Sequence, residues 1–188
     1  MNIKNNKKSK DSVDKIKNAI FNILKESTHH ELSIKYICDV AKVNRSTFYA
    51  HFDSVEDVLY NICEEYILAV YQTFLKTNLD YKVRLRLALE IIKSRYDFFV
   101  YVFTNVPNLD MHVMDMIESS LYNMPFDSTI DYEKAKLSLS FMMGGFVSVG
   151  KRYFYDIENK KSPKMSLDEF VELLYGCINV NNPSFKVE

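Results

Sequence analysis

The first hundred residues of this 188-residue chain contain neither glycine nor proline. Without its two punctuating residues a backbone cannot make the closely spaced tight turns that hairpins and sheets require. The four prolines, Pro107, Pro125, Pro163 and Pro183, and the four glycines, Gly144, Gly145, Gly150 and Gly176, all come later. The prolines read as stops between helices. An apolar content of 47% is ample for a packed core and excludes a disordered chain. The length fits one or two domains.

Periodicity agrees with an all-α chain of about nine helices. Val13, Ile16, Ile20, Ile23 and Leu24 step by three and four along one amphipathic helix. Ser33 is placed to cap a short second helix whose Ile34, Ile37 and Ala41 face inward, and a third short helix is expected from Arg45 to His51. Ser54-Val55-Glu56-Asp57 has the form of a capping box. It opens a long helix carried inward by Val58, Leu59, Ile62, Tyr66, Ala69 and Val70. Further helices are expected near 81–94, 96–104, 109–122, 132–155 and 167–180, the last opened by a second box, Ser166-Leu167-Asp168-Glu169.

Several classes of function are poorly supported. Cys38, Cys63 and Cys177 are odd in number and far apart, which excludes a disulfide framework, gives no support for zinc and suits a reducing compartment. No apolar run reaches membrane-spanning length. The basic N-terminus has no apolar segment behind it, unlike a signal peptide. His29 and His30 are adjacent rather than four apart, His112 stands alone, and no phosphate loop, HExxH or GxSxG occurs. We therefore expect no catalytic residues, no metal and no cofactor. Cys38 and Cys63 read as small core residues.

The net charge of −1 conceals an asymmetry: residues 1–53 hold ten bases and six acids, residues 54–188 fourteen and nineteen. A basic segment on an acidic body is a hint of nucleic-acid binding. Residues 33–52 read SIKYICDVAKVNRSTFYAHF. Two short helices broken at Lys42-Val43-Asn44 have the form of a helix-turn-helix, whose second helix can enter a DNA major groove. Ile37, Ala41, Val43, Phe48 and Phe52 would form its core. Lys35, Tyr36, Asn44, Arg45, Ser46, Thr47, Tyr49 and His51 remain outside, a set of donors and cations suited to phosphates and base edges.

At these positions the chain resembles the tetracycline-repressor family of transcriptional regulators. The matching pattern is Ile37, then Ala41, Val43, Asn44, Thr47, Phe48, Tyr49, His51, Phe52, Ser54, Glu56 and Leu59. It departs from the family at Lys42, where a glycine is usual, mildly at Ser46, where another small residue is usual, and at Val55, where a lysine is common. The resemblance implies a DNA-binding domain over 1–53 and a helical ligand-binding and dimerisation domain over 54–188. It implies that Tyr49 and His51 hold phosphates, that Asn44, Arg45, Ser46 and Thr47 lie nearest the bases, and that Ser33 and Lys35 grip the flanking phosphate. Arg45 suits base readout because a guanidinium bonds guanine in bidentate fashion. A solvated charge at Arg45 and an ordinary surface or core histidine at His51 are the plainer alternatives. Lys4 to Lys10 read either as an arm on the backbone or minor groove or as a solvated tail.

The resemblance further implies a cytoplasmic homodimer on a palindromic duplex operator, with Gly144, Gly145, Val149, Phe170 and Leu174 at the dimer interface. Glycine costs up to about 1 kcal/mol inside a helix, so the Gly144-Gly145-Gly150 cluster needs a reason, such as close approach of a facing helix or a kink. A small apolar or aromatic effector is implied as well, with Phe99, Phe103, Met111, Met114, Phe141 and Met142 as pocket candidates. An aromatic and methionine stripe is equally the mark of plain core. Asp97, Asp110, Asp115 and Glu118 nearby suit either a cationic ligand or a solvated face. The expected function is a repressor released by its effector. Two alternatives are a regulator or activator answering to a protein partner, and a helical carrier of apolar ligands that binds no DNA.

Overall fold

A computed structural model of the chain describes residues 3–27, 31–74, 76, 78–108, 111–113, 115–116, 119, 137, 144–145, 148–149, 152 and 165–179. All regular structure among them is helical: α1 (Ile3–Glu26), α2 (Ile34–Ala41), α3 (Arg45–Tyr49), α4 (Val55–Phe74), α5 (Tyr81–Lys93), α6 (Tyr96–Asn105) and α7 (Leu167–Asn179). Within the helices expected near 109–122 and 132–155, the described residues are helical and the remainder lies outside the described set. No described helix is long and apolar enough to cross a membrane. No cluster of metal-ligating side chains occurs among the described residues.

The helix ends follow from local chemistry. The Ser33 hydroxyl accepts from Tyr36 N–H at 3.3 Å and starts α2. Asp80 starts α5 by accepting from Lys82 N–H at 2.8 Å. At α7 the capping box closes in both directions: Glu169 N–H donates to Ser166 Oγ, and Ser166 N–H donates to the Glu169 carboxylate at 2.6 Å. The Ser166 backbone N–H bonded to that carboxylate, and secondarily the Ser166 side chain, hold the Glu169 carboxyl below its ordinary range. At α4 the box is offset. Ser54 accepts from Asp57 N–H, but the Asp57 carboxylate returns to the N–H of Asp53 rather than of Ser54. After α6, Val106 is extended, as a residue before proline must be, and Asn108 takes a positive φ of 56°.

The chain forms two compact units. The first comprises Met1–Glu65 with Arg95–Val106, the second Tyr66–Ser94 with Pro107–Glu188. The helix-turn-helix motif ends near residue 53, but the first unit also takes in the opening half of α4 and all of α6.

In the first unit α1 packs on α2, α3 and α6. Its apolar stripe is buried as its periodicity requires: Ile16, Ala19, Ile20, Ile23 and Leu24 are shielded, with Val13 half-buried at the end. From α4, Val58, Leu59, Ile62 and Cys63 enter the core. From α6, Phe98 is 1% exposed and meets Phe21 edge to face, centroids 5.6 Å apart. The Arg95 guanidinium lies 4.3 Å over the opposite partner ring, Phe21. Lys17 is buried along its stem and its ammonium reaches Glu65 at 2.7 Å, joining α1 to α4. Glu65 itself is largely in water, so this pair positions the helices more than it stabilises them.

In the second unit Leu85 and Leu89 of α5 close against Phe170, Val171 and Leu174 of α7. Polar contacts border this seam. Lys82 bonds Glu172 at 2.7 Å and lies 4.6 Å from the centre of the Tyr175 ring, and Arg86 bridges Glu90 and Asp168.

Truncating Phe98 to alanine should cost about 3–5 kcal/mol, the usual range for emptying a buried aromatic site. Urea unfolding followed by circular dichroism measures this; an unchanged midpoint would mean that α6 is not part of the first unit's core.

Candidate nucleic-acid interface

The first unit presents the polar residues of the helix-turn-helix on a framework set by a few buried side chains. Ile37 and Phe48 have no exposed surface, and Cys38, Ala41 and Phe52 are buried beside them. Phe48 stands edge-on to Tyr49 at 5.8 Å and tilted to Phe52 at 6.0 Å. Val43, expected in this core, is only half-buried. The cause lies in the residue before it. Lys42 ends α2 in the left-handed conformation, φ 55° and ψ 46°, and Val43 N–H turns back to Cys38 C=O at 3.1 Å. Lysine thus occupies the backbone state that glycine adopts without strain, and the three-residue turn keeps its form.

Asn44 then caps α3 through its main chain: Thr47 and Phe48 donate to Asn44 C=O at 2.9 and 3.1 Å. Its side chain makes no capping bond, although asparagine is among the best capping residues. The amide therefore stays uncommitted at the tip of the motif. Lys35, Asn44, Arg45 and Ser46 are exposed, and Tyr49 is 56% exposed despite its aromatic ring. Thr47 and His51 are half-buried, with the His51 ring against Phe52. Ser33 is exposed and holds the first turn of α2. Neither Lys35 nor Arg45 enters an ion pair among the described residues. All eight residues expected at a DNA surface thus lie between Ser33, which caps α2, and His51, two residues beyond the end of α3.

Electrostatics adds a carboxylate that the outward set omits: Asp39 is exposed on α2. Burial pushes the Cys38 thiol up; the Arg45 guanidinium counters this and Asp39 reinforces it. Burial, aided by Glu64, pushes the Cys63 thiol up to about 12. Both cysteines are therefore neutral core residues. Lys42 is a further exposed cation in the turn, and its left-handed φ is the local signal that identifies it.

The other expected sites are not assembled to the same degree. Phe99 is buried beside Phe98, with Phe103 6.2 Å away across tilted rings. Both belong to the first unit, whereas Met111 belongs to the second and is 64% exposed. Met114, Phe141, Met142, Asp110, Glu118, His29 and His30 lie outside the described residues. Among the residues expected at a dimer contact, Phe170 and Leu174 are buried against α5 of the same chain. Among the described apolar side chains of α7, Leu173 stays in water, 45% exposed. Gly144, Gly145 and Val149 are helical and exposed, and a Cβ built at either glycine meets no described atom within 4 Å.

The fold has a counterpart among solved structures. The dihydroxyacetone kinase operon activator DhaS superposes with a TM-score of 0.58 over 89% of this chain and 93% of its own, at 18% sequence identity. No protein-family model matches the chain, and no curated protein does.

Two substitutions test the local geometry. Lys42→Gly should stabilise the protein by about 1 kcal/mol, because it relieves a left-handed non-glycine residue. Ser33→Ala should destabilise it by about 1 kcal/mol through loss of the cap. Thermal melts report both; a Lys42→Gly protein that melts lower would contradict the turn described above.

Proposed function

We propose that this chain is a homodimeric transcriptional regulator, similar to the tetracycline-repressor family, that binds a palindromic duplex operator through α2 and α3 in the cytoplasm. The observation that carries the reading is the uncommitted polar group of Asn44, Arg45 and Ser46 at the start of α3. It is flanked by Ser33, Lys35, Tyr49 and His51 at the positions where the motif resemblance puts phosphate contacts. A short helix with its leading polar side chains in water is what major-groove readout requires. The fold shared with an operon activator supports a regulator. From the resemblance we further propose repression relieved by a small apolar or aromatic effector.

Dimerisation supplies the second half-site, since one helix-turn-helix offers little contact area. In an operator-competent dimer the two α3 helices would stand about 34–36 Å apart, one DNA turn. No described atom comes within 4 Å of a Cβ built at Gly144 or Gly145, which supports a facing helix from a second copy.

Filter binding to random-sequence and selected duplexes across a salt series tests the central reading. Affinity should fall steeply with salt; salt-independent retention, or none, would leave a helical carrier of apolar ligands as the better account. Arg45→Ala should weaken the selected sequence by about 1–3 kcal/mol more than the random one. Tyr49→Phe and His51→Ala should weaken both alike, and an altered sequence preference in either would count against phosphate contact. For the dimer, Gly145→Leu places bulk at the proposed facing surface. It should sediment as a monomer, and a stable mutant dimer would sink the proposed interface.

A further inference from the structure

The lysine-rich start of the chain is not an extended arm: α1 begins at Ile3 and continues without a break to Glu26. Residues 4–10 read Lys-Asn-Asn-Lys-Lys-Ser-Lys, four cations and three small polar residues, with no acid and no apolar side chain. They occupy about 9 Å of helix at 1.5 Å per residue. Ser9, Lys10 and Asp11 are exposed, and Ser12 and Val13 are half-buried. At about 100° per residue, Lys4, Lys7 and Lys8 share the register of exposed Asp11 and Lys15, across the helix from Ile16 and Ile20.

This segment also holds the whole positive balance of its region. Residues 11–53 contain six bases and six acids, whereas residues 1–10 contain four bases and no acid. Asparagine and serine are weak helix formers, and Lys4 stands three and four residues from Lys7 and Lys8, a spacing at which like charges repel. The composition is thus poorly suited to stabilising a free helix and well suited to a polyanion.

We propose that the first two turns of α1 are a phosphate-binding ridge that lies along the backbone of duplex DNA flanking the site gripped by α2 and α3. This rests on the proposed function and extends its footprint. An α-helix is about 10–12 Å across with side chains, and the minor groove is about 6 Å wide, so the ridge follows the backbone and reads no bases. An anionic membrane is the weaker partner, because residues 4–10 offer no apolar face to insert.

The test compares the full chain with a variant carrying Lys4→Gln, Lys7→Gln, Lys8→Gln and Lys10→Gln, which keeps helix propensity and touches no described core residue. Both are titrated with selected and random-sequence duplexes over a salt series, and cosedimented with phosphatidylserine vesicles. The expected result is a log–log salt slope shallower by about two to four in the variant. A loss of at least about tenfold in low-salt affinity should accompany it, equal on both duplexes, with unchanged sequence preference. An unchanged slope in a variant that still binds duplex overturns the ridge and leaves the proposed function standing. Vesicle binding lost while the duplex slope is kept assigns the ridge to membranes and overturns it as well. A native chain that binds no duplex at any salt overturns both readings together.

Discussion

Phe48 has no surface in contact with water, and α3 depends on that burial. A five-residue helix is far below the length at which helices persist alone, so α3 cannot be held by its own hydrogen bonds. It persists because it packs on α1 and α2 around this ring. Burying Phe48 fixes the rotation of the short helix, and with it the exposure of Arg45, Ser46 and Tyr49. The DNA-facing chemistry proposed for this chain is therefore a by-product of core packing. Any change that loosens Phe48 would blur the geometry of every polar group ahead of it, as happens when supporting side chains around a binding constellation are lost.

The same core reaches further along the chain than the motif does. Phe98 and Val102 of α6 are buried in the first unit, and α4 passes from one unit to the other at Glu65–Tyr66. Two segments thus connect the units, α4 directly and α6 through the turns at its ends. Lys17–Glu65 and Arg95–Phe21 mark the two places where α1 meets these connecting helices.

Helices and caps were legible in the sequence because they are local. The step of three and four from Val13 to Leu24, Ser33 before Ile34, and Ser166 three residues before Glu169 each carry their own physical signal. The all-α fold follows from such signals together with the absence of early glycine and proline. Pairings between distant residues leave no such mark. Nothing near Phe98 announces Phe21 as its neighbour, so α6 could not be placed in the first unit beforehand. Periodicity likewise identifies a buried stripe on α7 without saying whose surface covers it. Phe170 and Leu174 look the same against a second copy as against Leu85 and Leu89, and the structure places them against α5 of the same chain. At the candidate interface, the exposure of Lys35, Asn44, Arg45, Ser46 and Tyr49 was readable from the motif, whereas Thr47 and His51 are half-buried and the exposed Asp39 was not in the set. The left-handed turn at Lys42 was not readable, because glycine is the residue that normally signals it.

The inclusion of α6 in the first unit has a consequence for how the protein is made. Chains emerge from the ribosome N-terminus first, and domains fold as their cores become complete. A core ending near residue 53 could close early, while most of the polypeptide was still being synthesised. This one waits for Phe98 and Val102, so α2 and α3 spend a longer interval next to an unfinished hydrophobic surface. The long separation between partners raises the loop-closure entropy and slows the final docking.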